Sequence, residues 1–541
     1  MISALIDNPI LLLFTVASIG YLLGSIKLGG NSLGVAAILF TGLLFGAIDD
    51  QLKVPDIVFL LGLVLFVYSI GLSSGPAFFK SYKKNGFRDF SFIMAMLLLS
   101  GLIAVAVFAF FGLSAATIAG VYSGSTTNTP ALAGVIDYIN TTAAAGGELD
   151  SSQAVIGYSL SYPMGVMGSM LAIIMMEKIM KIDYKAEQKA LRKEYPSDSY
   201  LSSDSLKVTN PEMHGMTWRD LLQRYGWDIV IGRIIKNEKT TLANYDTIIE
   251  LGDELMIVGA EDDLHKAISD LGESVKSNKT YDRQEYDVRR IFVSNSRVVG
   301  RTIGSLNLAK KFNAVISRIR RGDIDMLAKD NTVLESGDRI RFIARRKDLR
   351  SLSKFFGDSY TASSRVNIFS FGLGIGIGLV IGMINIPLGS FSFKLGYAGG
   401  PLIVGLFLGA LRRTGPIVWT LPYSANVTLQ QLGLILLLAG IGVNSGSSFA
   451  NSFNEGAVLI IIASIIISIL TAICILLIGY KLVKLPFSIL MGMVSNQPAI
   501  LDFALNKSGN RIPQYGYTMM FPIASVMKII IAQVMFIILS S

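Results

Sequence analysis

Two short polar stretches carry the groups best suited to hold a ligand. They are Gly124-Ser125-Thr126-Thr127-Asn128-Thr129-Pro130 and Ser495-Asn496-Gln497-Pro498, each set in strongly apolar sequence. Hydroxyl and amide side chains end there in a proline, which suits the first turn of a following helix. If such a break lies at membrane depth, its unwound peptide groups cannot face lipid. They must be buried in protein or line a polar cavity, where N–H groups at half-helix N-termini can hold an anion. Ser125, Thr126, Thr127, Asn128, Thr129, Ser495, Asn496 and Gln497 are therefore the candidate ligand contacts. A surface loop rich in turn residues is the plainer alternative, and the duplication of the break weighs against it.

Charges in apolar runs extend the set. Lys528 lies about 20 Å from the C-terminal end of the last run at 1.5 Å per residue, and a lysine inside a membrane is a functional candidate. It reads as a counter-charge for a substrate carboxylate, with a structural pair to Asp502 or snorkelling as alternatives. Asp137 and Asp502 follow the two breaks and suit a substrate ammonium or a coupling proton, or else the water-exposed end of a half-helix. Ser73, Ser74, Asn444 and Ser445 sit at matching glycine-flanked positions, where ligand contact and close helix packing are both open. One cysteine and two histidines make a Cys/His zinc site untenable, and no cofactor is expected.

The elements that must position these residues follow from composition. Of 541 residues, 51% are hydrophobic and 16% charged, which excludes a single soluble globule. Positions 181–364 hold 32 Lys+Arg and 28 Asp+Glu, so a soluble insert separates two membrane blocks. Runs long enough to cross a bilayer fall at about 10–26, 32–48, 57–75, 90–112, 153–179, 366–386, 396–411, 427–445, 456–480 and 513–539, giving ten crossings. The first has no Lys or Arg before it and no cleavage site after it, and reads as a retained helix. The net charge of +9 needs no nucleic-acid partner, because the basic residues outside the insert sit where a membrane protein places them.

The two membrane blocks repeat one another. Leu61-Gly62-Leu63 and Ile70-Gly71-Leu72-Ser73-Ser74-Gly75 recur as Leu432-Gly433-Leu434 and Ile441-Gly442-Val443-Asn444-Ser445-Gly446. Asn128-Thr129-Pro130-Ala131-Leu132 recurs as Asn496-Gln497-Pro498-Ala499-Ile500, and Gly157-Tyr158-Ser159 as Gly516-Tyr517-Thr518. Lys528 corresponds to Ser169, so its charge is not part of the shared scaffold. Placing residues 80–88 in the cytoplasm puts Lys27, Lys80, Lys83, Lys84, Arg88, Lys178, Arg365, Arg412, Arg413, Lys481, Lys484, Lys507 and Arg511 inside, against Lys53 and Lys394 outside. That choice requires each break to form a re-entrant hairpin. The expected fold is an α-helical polytopic membrane protein of two inverted repeats, each of five crossings and one hairpin, with a cytoplasmic tandem α+β insert and both termini outside. The expected segments are repeat one at 1–180, a linker at 181–204, soluble modules at 205–285 and 286–358, and repeat two at 359–541. Interrupted segments at matching places in inverted repeats are the sequence pointer to a midplane site in secondary transporters.

Through Gly124-Ser-Thr-Thr-Asn-Thr-Pro-Ala-Leu132 and Ile70-Gly-Leu-Ser-Ser-Gly-Pro-Ala-Phe-Phe79, essentially the whole chain resembles the aspartate:alanine exchanger family. The second half departs from the threonine-rich pattern with Val494-Ser495-Asn496-Gln497-Pro498. The resemblance implies electrogenic exchange of aspartate for alanine across a bacterial inner membrane, with a small amino acid or dicarboxylate and the lipid bilayer as partners. A regulated ion channel and a transporter of another small carboxylate are the alternatives; a T-V-G-Y-G filter is absent. No paired acid and base supports an enzyme.

The insert repeats at an offset of 85. Gly215-Met216-Thr217 matches Gly300-Arg301-Thr302, Gly252-Asp253 matches Gly337-Asp338, and Asp263-Leu264 matches Asp348-Leu349. Alternating strands after Gly-Asp turns indicate small α+β modules. Both copies resemble the TrkA-C module of potassium-conductance regulators, a ligand-sensing and dimerising fold, which implies a homodimer. No nucleotide-binding glycine motif is present. The second copy is the more basic, and Arg318, Arg320, Arg321, Arg339 and Arg341 are the expected face for an anionic regulator.

Overall fold

A computed structural model describes residues 2–28, 31–32, 35, 37–143, 151–191, 201–237, 239–275, 286–322, 324–388, 391–452, 456–495, 498–510 and 512–540. Asn496 and Gln497 lie outside the described residues, as does the side chain of Asp502. The chain forms two compact units: residues 1–197, 369–411 and 427–541, and residues 198–368 with 412–426.

The first unit is helical: α1 (Pro9–Gly24), α2 (Ala37–Ile48), α3 (Asp56–Phe111), α4 (Ala115–Ser125), α5 (Thr129–Ala143), α6 (Ser152–Met180), α7 (Tyr184–Leu191), α8 (Ile368–Gly382), α9 (Gly396–Leu411), α10 (Tyr423–Ser452), α11 (Ala457–Lys481), α12 (Phe487–Val494), α13 (Pro498–Ser508) and α14 (Ile512–Ser540). Among the described residues, seven helical segments are long and apolar enough to cross a membrane, and α1, α2 and α9 are shorter apolar helices. At 1.5 Å per residue the 12-residue α2 is about 18 Å long, under the roughly 30 Å of a hydrocarbon core. The expected crossings at 57–75 and 90–112 are joined in the single helix α3, which contains Pro76. Lys80-Ser-Tyr-Lys-Lys between them is polar enough to leave the membrane, but its lysines are good helix formers and the backbone ladder continues.

The glycine motifs set how closely these helices approach. A Cβ on Gly71 of α3 would collide with the backbone of α9 at Leu402 and Gly405, and one on Gly42 of α2 would meet the backbone of α10 at Gly442. Helix α9 thus packs closely on α3, and α2 on α10. Asn444 pins that packing: its amide accepts from the Val54 N–H and donates to the Val54 carbonyl, both at 2.9 Å. Ser73 donates within its own helix, to Ser69 and Ile70. Asn444 is thus bonded to the chain ahead of α3; Ser74 is half-buried and Ser445 is buried.

The second unit contains two sheets of one topology. The strands of these two sheets are β1 (Ser202–Val208), β2 (Ile229–Lys236), β3 (Lys239–Leu242), β4 (Glu254–Gly259), β5 (Gly272–Ser274), β6 (Tyr286–Phe292), β7 (Ala314–Arg321), β8 (Ile324–Leu327) and β9 (Arg339–Arg345). The orders are β3-β2-β4-β1-β5 and β8-β7-β9-β6, antiparallel throughout. Adding 85 to β2 or β3 gives β7 or β8 residue for residue. Gly252 and Gly337 adopt φ of 87° and 88°, where a side chain would be strained. Each is followed by a buried aspartate that closes the turn, with Asp253 accepting from Glu250 N–H and Asp338 from Glu335 N–H at 2.8 Å.

The same repeat corrects the expected anion face. Arg321 binds Asp338 through two 2.8 Å bonds and Glu335 through one of 2.7 Å, as Lys236 in the first module pairs with Asp253 and Glu250. Burial pushes the Glu335 carboxyl up, with the Arg321 charge working against that shift. Arg321 is a structural cation. Strand alternation sends it to the face opposite Arg320, while pairing across the ladder aligns Arg341 with Arg318 and Arg339 with Arg320.

Candidate functional site

The first break is built by α4 and α5. Ser114 caps α4 by accepting from the Thr117 N–H at 3.1 Å, and the helix is buried from Thr117 to Ser125. At its end Thr127 turns to a φ of 50°. For a β-branched residue this left-handed conformation costs on the order of 1–3 kcal/mol, the kind of strain found at functional sites. The turn lets Asn128 restart the chain: its side chain accepts from the Ala131 N–H at 2.9 Å and caps α5.

The hydroxyls diverge instead of converging on one ligand. Ser125 donates to Ser464 of α11 at 3.0 Å, and Ser464 donates in turn to the Ser161 carbonyl. Thr126 donates back to the Tyr122 carbonyl, and Thr129 shares a 2.8 Å bond with the Tyr158 hydroxyl. Thr127 is the exception, because its hydroxyl is buried without a hydrogen-bond partner. Beside it, the Lys528 ammonium, on a residue only 2% exposed, donates to the Thr126 carbonyl at 3.0 Å. A cation there offsets the negative end of the α4 dipole. The break therefore brings together a buried cation, an unpartnered hydroxyl and a strained peptide.

Asp137 belongs to a different place. It is buried, not at a water-exposed helix end, and its carboxylate accepts from the Tyr397 N–H at 2.8 Å, capping α9. Two cavities of about 190 and 180 Å³ flank it. Along α5, Thr129 and Asp137 are separated by an axial rise of about 12 Å. Gln533 lies between them on α14, donating to the Gly134 carbonyl at 2.9 Å while its buried carbonyl oxygen lacks a partner. Sequence reasoning passed over Gln533 and Ser464, whose only signal was a polar side chain in an apolar run.

At the second break, Ser495 is buried and donates to the Met491 carbonyl at 2.8 Å. Its leading arm α12 is held from an unexpected quarter. Glu187 of α7 accepts from the Phe487 and Ser488 N–H groups, at 2.5 and 3.0 Å, and from the Ser488 hydroxyl. Lys507 at the end of α13 pairs with Glu177 of α6 at 3.2 Å. Both arms are thus tied to the segment that leads into the insert. Glu187→Ala should lower stability by about 1 kcal/mol, the usual loss of an N-cap, and lower the thermal midpoint of the purified protein. An unchanged midpoint would show that the cap is dispensable.

Residues 12–178 and 370–537 match a family model described as a predicted permease membrane region, Asp-Al_Ex. The chain belongs to this permease family. Residues 288–357 match the TrkA-C domain. An uncharacterized transporter of Geobacter sulfurreducens is 46% identical over 99% of both chains, and one of Symbiobacterium thermophilum is 42% identical over the full length of both. The crystal structure of the GsuK RCK domain aligns over 30% of this chain and 65% of its own at 11% identity and a TM-score of 0.16. With seven long apolar helical segments among the described residues, this member of the permease family is a multi-pass membrane protein.

Proposed function

We propose that this permease-family protein is a secondary transporter that exchanges aspartate for alanine by alternating access between inverted repeats in a bacterial inner membrane. The observation that carries the reading is the first break, where Lys528 meets the Thr126 carbonyl beside the strained, unpartnered Thr127. Aspartate carries a net charge of −1, and bare charge at membrane depth is expensive. Lys528 supplies the matching cation, while half-helix N–H groups and the Thr127 hydroxyl take the carboxylate common to both substrates. Alanine is neutral overall, so the exchange moves charge. In proteoliposomes preloaded with alanine, labelled aspartate should accumulate against its gradient, and a membrane potential should change the rate. Equal flux from empty vesicles would replace the exchanger by a channel.

The orientation rests on the distribution of Lys and Arg, with the insert in the cytoplasm and both termini outside. Single cysteines introduced at Glu148 and Glu455 should react with an impermeant reagent from outside the cell. Protection of both from outside, with reactivity from the cytoplasm, overturns the topology.

A further inference from the structure

The second soluble module has a groove of about 520 Å³ distinct from the expected arginine face. It is lined by Arg297, Arg301, Lys311 and Lys354, all exposed, and by the ring pair Phe312–Phe355, with centroids 5.1 Å apart. No described lining residue is acidic, and none of the four cations is in an ion pair among the described residues. The basic character is not a by-product of the repeat. At an offset of 85 the first module has Glu212, Met216, Gly226 and Ser269 in place of the four cations. Four like charges around one concavity repel one another unless an anion joins them, and a multiply charged phosphate ester would form charge-assisted bonds to several at once.

The groove also has a way to report its occupancy. Its rim at Ser296–Val299 is held by Arg413, which donates to the carbonyls of Ser296 at 2.7 Å, Val299 at 2.8 Å and Arg297 at 3.3 Å. Arg413 follows α9 by two residues, and α9 is the helix whose first turn Asp137 caps. We propose that this groove binds a phosphate-bearing anion, either a free metabolite or a lipid headgroup, and that Arg413 relays its occupancy to α9. The binding half stands apart from the exchange reading; the relay half rests on it.

The test uses the full-length protein in neutral phosphatidylcholine nanodiscs, titrated calorimetrically with inorganic pyrophosphate and with ATP. Saturable binding is expected, weakened at least about tenfold by Arg301→Glu with Lys354→Glu and unchanged by Arg289→Glu, an exposed residue outside the groove. Unaltered thermal unfolding of the double variant establishes that it is folded. If neither probe binds, phosphatidylglycerol in the nanodisc should raise the thermal midpoint of the natural protein and not of the double variant, which assigns the site to a headgroup. Equal affinity in the natural and double-variant proteins, or no probe binding together with no lipid response, overturns the site. Arg413→Ala should keep pyrophosphate binding and lose the effect on transport; an intact effect overturns the relay. Because binding is read directly, a protein that binds pyrophosphate but fails to exchange aspartate refutes the transport reading alone.

Discussion

Replacing Lys528 by Met is expected to weaken aspartate by roughly ten-fold to a hundred-fold relative to alanine, the equivalent of about 1.5–3 kcal/mol for a lost charge-assisted hydrogen bond. Both substrates present an α-carboxylate and an ammonium, so only the second carboxylate of aspartate distinguishes them. In the structure the Lys528 ammonium is buried and bonded to the Thr126 carbonyl, where it offsets the α4 terminus. A substrate carboxylate at the break would bring a full negative charge to that cation. Met keeps much of the stem's packing and removes the charge together with the bond to the Thr126 carbonyl. The measurement is competition by alanine against labelled aspartate in exchange-competent proteoliposomes. An unchanged ratio of affinities, in a folded protein, would assign Lys528 to holding the helix end and not to the substrate.

Thr127 should separate hydroxyl from backbone. Thr127→Val keeps the shape and the strain and removes the unpartnered hydroxyl, so both substrates should weaken alike, by about tenfold for one hydrogen bond. Thr127→Gly also removes the hydroxyl but fits a φ of 50° without a Cβ. It should bind as poorly as the valine variant while unfolding at a higher temperature. If Thr127→Val discriminates between aspartate and alanine, the hydroxyl serves the side-chain carboxylate and the two roles proposed at the break exchange places.

Several features of the site were legible in the residues alone because they depend on local chemistry. A run such as Ala457–Lys481 has to be a buried or lipid-facing helix whatever surrounds it, and a Thr-Asn-Thr-Pro sequence has to interrupt one. The tandem modules were equally legible, since Gly252-Asp253 and Gly337-Asp338 mark a turn that requires a positive φ and a carboxylate to close it. The lysine of the last helix stood out because charge is rare in apolar sequence. By itself, then, the sequence determined the apolar helical runs, the break at Thr126–Asn128 and the repeated turns of the insert, while it divided the single helix α3 in two.

The partners of the polar groups were decided only by tertiary structure. Seven residues of hydroxyl-rich sequence suggest one binding cluster, yet Ser125, Thr126 and Thr129 turn to three different neighbours and leave Thr127 alone unsatisfied. Glu187 looks like any acid on an amphipathic helix until the N-terminus of α12, 300 positions away, is placed against it. Asp137 reads as a charge for the substrate ammonium, and tertiary structure puts the Tyr397 N–H of α9 on its carboxylate. Arg321 reads as an exposed anion ligand, and a buried Asp338 makes it structural. In each case the residue type states what a side chain can bond, but a bond needs a partner within about 3 Å. Which distant segment comes that close is set by helix packing through contacts such as Gly71 with Gly405, and no periodicity along the chain encodes it.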